Sequence, residues 1–198
     1  MQGIPLNERK RLGALLDDRP QAEVMAMIPQ FSQAETDNFV APPAQIPEAL
    51  GVLMFNMERG VNLPEIQEFL RDCPDIQPFD VILANELDDG CARSGNKNTA
   101  RELAQAFGLN YAWGLEFIEL VNDENAKGFH GNAVFSRWPI RRAGVIRLPE
   151  QYNWYFDRQK RIGGRLAVFA ELDVGGQPVG AVSIHLENRT HGEGRKAQ

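Results

Sequence analysis

Buried-strand signals recur in this chain from Gly51 onward, separated first by helices and then by turns, and that switch restricts the folds open to it. Residues 51–57 and 80–86 are apolar runs of strand length. Between them Asn62-Leu63-Pro64-Glu65 opens a helix with a capping residue and an early proline, carrying Ile66, Phe69 and Leu70 inward. Residues 98–107 predict a second helix, stopped by Gly108, with Leu103, Ala104 and Phe107 on one face. Residues 111–120, 131–137, 143–148, 165–174 and 179–186 then read as strands, and Gly175-Gly176 joins the last two as a hairpin turn. An early β-α-β-α order followed by strands predicts an α/β fold, a layered sandwich of mostly antiparallel sheets flanked by helices. The sequence contains no internal repeat.

Upstream, residues 7–17 predict a short helix with Asn7 as its cap and Leu12, Leu15 and Leu16 on one side. Residues 29–47 are rich in Pro, Gln and Ala with little periodicity, which predicts an extended leader that wraps or dangles. Regular structure is expected to begin at Gly51, dividing the chain into a leader over 1–50 and a domain over 51–198. Past Leu186 the chain turns polar, as a tail or as a loop entering a helix whose apolar face has not appeared. The sheet is therefore expected to lack its C-terminal part.

At 198 residues, 43% apolar and 24% charged, the chain suits one ordinary domain or a piece of a larger one. No apolar run approaches the roughly 20 residues of a membrane-spanning helix. Met25-Ala26-Met27-Ile28 is too short for a signal-peptide core, so a cytoplasmic location is the expectation if Met1 is the true start. Cys73 and Cys91 have neither metal-ligand nor disulfide spacing and are expected to be free thiols. A formal charge of −6 argues against a generally basic nucleic-acid coat. Between Arg137 and Arg165, however, eight Lys/Arg stand against two acids, Glu150 and Asp157, so one local face can be positive.

Several strand-like runs carry a polar residue fit for phosphate chemistry at an end, where a rigid backbone can hold it. Glu86 ends a strongly apolar run, and a carboxylate there needs a reason because burying it unpaired is costly. It is either a ligand for Mg²⁺ or Mn²⁺, which prefer oxygen donors, or a strand-end acid facing solvent. Asn56 has the same two readings, with a turn as the plainer one. His185 lies opposite the face shared by Val182, Ile184 and Leu186, and can donate to a phosphate oxygen or simply be hydrogen-bonded. Arg165 is either a phosphate clamp or an ordinary strand arginine. The stretch from Tyr152 through Trp154, Tyr155, Phe156, Arg158 and Lys160 to Arg161 can stack bases, or can fold its aromatics back onto the sheet. Asp88-Asp89 can add a metal ligand or form a turn.

In their order, the segments Phe55-Asn56-Met57-Glu58, Asp80-Val81-Ile82-Leu83-Ala84-Asn85-Glu86, Gly131-Asn132-Ala133-Val134-Phe135-Ser136-Arg137, Gly163-Gly164-Arg165 and Val182-Ser183-Ile184-His185-Leu186 resemble the endonuclease/exonuclease/phosphatase superfamily. That is the fold of pancreatic-type deoxyribonuclease, exonuclease III and inositol-polyphosphate phosphatases. Arg195 and Gln198 are similar to the Arg-x-x-Gln that begins the family's next helix, so the likeness spans about residues 51–198. The resemblance implies a phosphoesterase dependent on Mg²⁺ or Mn²⁺. Glu86 would bind the metal with Asn56 lining the same site, and His185 and Arg165 would contact the scissile phosphate. Asn132, Arg158, Lys160 and Arg161 are candidate substrate contacts, although Asn132 and Ser136 are expected to shape the neighbouring loop rather than react.

Two departures bear on activity. Asn85-Glu86 replaces the family's commoner Gln-Glu, and the Gly-Asp-x-Asn and Ser-Asp-His segments that orient and activate the attacking water are absent from these 198 residues. The expectation is an N-terminal part of a longer protein that is a phosphoesterase when complete and inactive alone. The alternative is a non-catalytic phosphate- or nucleic-acid-binding module of the same fold. A third possibility is an unstable piece with exposed sheet edges. Nucleic acid, sugar phosphate, inositide and lipid substrates all remain open.

Overall fold

Two packed sheets with helices on one outer face account for the strand and helix signals. The computed structural model describes residues 1–198. Its first sheet contains β1 (Ala34–Asp37), β2 (Val52–Arg59), β3 (Val81–Asp89), β4 (Asn110–Glu119), β5 (Phe129–Ser136) and β7 (Arg161–Gly163). The order across it is β1-β4-β5-β3-β2, with β7 pairing β4 beyond that path. The second sheet is β6 (Ile140–Arg147), β8 (Leu166–Val174) and β9 (Gln177–Ile184), in the order β6-β8-β9. Only β2 and β3 pair in parallel, joined by α3 (Leu63–Asp72) as the sequence predicts.

Alternation along the strands builds two cores. Ile82, Ala84, Tyr111, Trp113, Leu115, Ala133 and Phe135 turn to one face, against α3, α4 (Thr99–Phe107) and the N-terminal segment. Val81, Ala112 and Val134 turn to the other, against Leu166, Val168, Ala170 and Leu172 of β8. Gly114 lets the sheets approach, since a Cβ there would lie 2.9 Å from methyls of both Val145 and Val168. The ends of α4 follow the sequence signals: the Asn98 side chain accepts from Arg101 N–H, and Gly108 closes the helix in the left-handed region at φ 59°. Both cysteines are free, and no helix is long and apolar enough to cross a membrane.

The first 37 residues belong to the domain rather than to a leader, whereas 38–50 run extended, without helix or strand, as expected. The first 37 form α1 (Leu6–Ala14), a 3₁₀ turn over Leu15–Asp17 and α2 (Gln21–Ala26), then supply β1 as an edge strand antiparallel to β4. Leu12, Leu16, Val24, Ile28 and Phe31 are buried in the first core, so regular structure begins near Leu6 rather than at Gly51. Arg147 fastens this segment, donating to the carbonyls of Phe31, Leu115 and Gly164. The helix over 7–17 also starts differently, after Pro5 and with no side-chain cap from Asn7.

The expectation of a buried strand over 51–57 needs correction too. β2 is an edge strand whose Leu53 and Phe55 lean on the helices, while Val52 and Met54 are 57% and 76% exposed. They overhang the side of the sandwich where the second sheet ends at β9, whose Val182 and Ile184 are exposed as well. Val182 and Ile184 thus form an uncovered apolar face of β9, while Val179, Ala181 and Ser183 turn inward.

Candidate functional site

Two backbone irregularities lie side by side where the parallel strands β2 and β3 end. Pairing between them shifts after Asn56, and pairing of β3 with β5 shifts between Ala84 and Leu87. Glu86 sits in the second shift with φ at 60°, a left-handed conformation that side chains rarely adopt. Its N–H donates to Asn132 Oδ1 at 3.1 Å, which fixes the bulge. The Glu86 side chain thereby leaves the ladder and faces a cavity of about 380 Å³.

Beside that cavity, and not part of its lining, His185 Nε2 stands 3.9 Å from Glu86 Oε1. Arg165 Nη1 reaches His185 Nδ1 at 3.1 Å, so in the neutral ring Nδ1 accepts and the proton sits on Nε2, toward Glu86. Behind both lies Glu116, wholly buried, 3.2 Å from Arg165 Nη1, 3.7 Å from His185 Nδ1 and 3.8 Å from His130 Nε2. Burial pushes the Glu116 carboxyl up, but the facing His185, Arg165 and His130 together outweigh it and hold its pKa down at about 2. Its Oε2 has no hydrogen-bond partner. Arg165 is gripped from its other side by Glu187 at 3.3 Å. Four of its N–H groups are thus taken by Glu116, His185 and Glu187, which leaves one Nη2 donor for a ligand.

A second buried array continues inward. Asp88 takes both prongs of Arg93 at 2.7 and 2.8 Å and the His130 ring at 2.9 Å. Burial raises its pKa, yet those bonds overcome it and hold the group at about 2. Asp89 pairs with Lys127 at 2.7 Å. Neither aspartate is left to ligate a metal. Glu119 bridges Arg93 and Arg161, and Arg161 in turn lies 5.1 Å from the Trp154 ring.

The structure gathers Glu86, His185 and Arg165 as the sequence suggests, with Arg158 and Arg161 on the same cavity. It does not gather the rest. Asn56 is exposed, accepts from Glu58 N–H at 2.9 Å in a local turn, and lines a neighbouring groove with Asn85 and Ser183 rather than the Glu86 cavity. Asn132 is fully buried behind Glu86 and has no surface for substrate. Lys160 lies 4.8 Å from the Tyr155 ring, away from the cavity. Trp154 and Tyr155 of this stretch fold inward, Trp154 Nε1 donating to Glu187 at 2.8 Å and Tyr155 to Asp17 at 3.0 Å, while Phe156 stays exposed. Glu116 was readable by the reasoning applied to Glu86, since it is a carboxylate inside an apolar strand. Arg59 and Arg189, which also line the cavity, carried no such signal.

No family model and no curated protein matches this sequence. Among solved structures, an endonuclease/exonuclease/phosphatase family protein from Leptotrichia buccalis C-1013-b is similar, at 19% identity and a TM-score of 0.48, covering 71% of this chain and 57% of that one. The crystal structure of SmcL is similar at 13% identity and a TM-score of 0.45, covering 76% of this chain and 54% of that one. The chain thus spans little more than half the length of either protein, and the likeness is one of architecture.

Proposed function

We propose that this chain carries the metal- and phosphate-gripping part of a phosphoesterase site. Glu86 is its cation ligand, and His185 and Arg165 are its phosphate contacts. The observation that supports this most is the arrangement around Glu86. It is the one acid on the cavity without an arginine partner, and it stands 3.9 Å from the histidine that Arg165 holds. An oxygen donor of this kind fits Mg²⁺ or Mn²⁺, which keep several waters and need only one or two carboxylates. No group of three His, Cys, Asp or Glu side chains comes together here, so the cation would be held by Glu86 and would keep most of its waters. When bound, the cation would polarise the phosphoryl group and offset its charge.

The chain's own residues supply the remaining steps. Arg165 offers one N–H and its charge to a phosphoryl oxygen, held rigid by Glu116 and Glu187. His185 holds a proton at Nε2 that can be donated to a phosphate oxygen or a leaving group. Glu116 positions both without reaching the substrate. A base for the attacking water is harder to find. Asp157, the other acid on the cavity, is held below its ordinary range by the Gln159 N–H and the Tyr152 hydroxyl. With Glu86 given to the cation, no free carboxylate remains to accept the water's proton, so we expect the chain alone to bind without appreciable turnover.

The test is the ³¹P linewidth of orthophosphate titrated with Mn²⁺ and protein, run beside hydrolysis of bis(p-nitrophenyl) phosphate. Protein-dependent broadening that vanishes in Glu86→Gln is expected, with hydrolysis equal in both proteins. Broadening that is absent, or unchanged by the substitution, removes the cation site. Phosphate affinity that neither added Mn²⁺ nor Glu86→Gln changes favours the non-catalytic binding module, a reading supported by the cavity's excess of arginines.

A further inference from the structure

The charges lining the Glu86 cavity exceed what one phosphate group needs. Five arginines line it, namely Arg59, Arg158, Arg161, Arg165 and Arg189, against two acids, Glu86 and Asp157. Three have carboxylate partners: Arg161 with Glu119 at 2.9 Å, Arg165 with Glu116 and Glu187, and Arg189 with Asp157 at 3.5 Å. Arg59 and Arg158 make no ion pair. The Arg161 Nε–H meets Glu119 at an angle too poor for a hydrogen bond and has no other acceptor. Arg161, Arg165 and Arg189 all lie within 5.1 to 5.7 Å of the Trp154 ring, which holds the positive wall in place. Trp154 is the only apolar residue in the lining.

A continuous basic track is absent outside the cavity. Arg141 pairs with Asp173 at 2.9 Å, Arg142 pairs with Glu171 at 2.7 Å, and Arg147 is spent on backbone carbonyls. The basic stretch seen in the sequence therefore does not form a path for an extended phosphate backbone. Lys160 lies on the Tyr155 ring and Arg137 beside Trp138 on a separate groove, while Arg158, Arg161 and Arg165 converge on one cavity of about 380 Å³, the volume of a small-molecule site.

We propose that this cavity takes a compact phosphoester bearing a second anionic group, which Arg59 and Arg158 neutralise while the scissile phosphate lies between Glu86 and Arg165. The inference rests on the phosphoesterase reading of the same site and narrows its substrate class. Neutral and cationic head groups are disfavoured, because they leave Arg59 and Arg158 unmatched or repel them.

Calorimetric titration in metal-free buffer separates the ligand classes, using orthophosphate, pyrophosphate, phosphocholine and a short single-stranded oligonucleotide. Pyrophosphate should bind at least about tenfold more tightly than orthophosphate, the gain of one good charge-assisted contact. Phosphocholine should bind more weakly than either. The double variant Arg59→Gln/Arg158→Gln should lose the pyrophosphate preference, with a smaller loss of orthophosphate affinity, and show an unchanged circular dichroism spectrum. Equal affinity for the two phosphates overturns the proposal, as does a preference for phosphocholine or a preference that survives the double variant. Oligonucleotide binding tighter than that of pyrophosphate overturns the compact ligand. A retained pyrophosphate preference without Glu86-dependent Mn²⁺ binding leaves this inference standing and removes the hydrolytic reading instead.

Discussion

Replacing Glu116 by glutamine removes the charge behind the site while keeping its shape. The carboxylate is wholly buried against Arg165, His185 and His130. Its pKa falls from 4.5 to about 2 in the folded protein, although burial alone would raise it. At about 1.4 kcal/mol for each tenfold change in proton affinity, that corresponds to on the order of 3 kcal/mol of stability. The sign follows from a folded-state value below the unfolded one. The contribution is fully present above about pH 4.5 and is lost as pH falls through about 2. Urea unfolding of both proteins across this range is the assay. At neutral pH the Glu116→Gln protein should be less stable by on the order of 3 kcal/mol, and the gap should close between pH 4.5 and about 2. Asp88 is also held at about 2, but it titrates in both proteins and cancels in the difference. A gap that stays constant with pH, or no gap at neutral pH, would refute the role given to Glu116.

Arg147→Met should lower stability by at least about 2 kcal/mol, because carbonyls of Phe31, Leu115 and Gly164 lose a buried donor; thermal unfolding measures it. Met54→Glu with Val182→Lys should leave stability within about 0.5 kcal/mol, since both side chains are exposed. The same pair should reduce self-association in sedimentation velocity, because charges blunt an open sheet edge. A marked loss of stability in that double variant would contradict the open side of the sandwich.

Where local chemistry decides an element, the sequence was readable. The capping amide of Asn98, the terminating Gly108 and the paired glycines at 175–176 marked α4 and the β8–β9 hairpin correctly. β1 was not readable, because Ala34-Glu35-Thr36-Asp37 has no apolar pattern and is a strand only through its backbone pairing with β4. β7 is three residues long, too short for any periodicity. The apolar run of β2 suggested burial on both faces, but burial depends on the neighbouring sheet, and that sheet ends at β9.

The site divides in the same way. Glu86, Arg165 and His185 stand at strand ends in a recognisable order, and the fold brings them together. The arginine cavity depends on Arg59 from a positive-φ bend meeting Arg158 and Arg189 from distant loops, a convergence that no local pattern encodes. Asn56 shows the reverse: a residue in the expected place whose oxygen is engaged by its own turn.

In the proposed site Glu86 would hold a divalent cation beside a phosphate gripped by Arg165 and His185. Anomalous diffraction from crystals grown with Mn²⁺ and orthophosphate tests it most directly. A manganese peak is expected about 2.1 Å from a Glu86 carboxylate oxygen, with phosphate density between that peak and Arg165. Manganese bound only elsewhere, with the Glu86 carboxylate solvated by water alone at saturating metal, would contradict it.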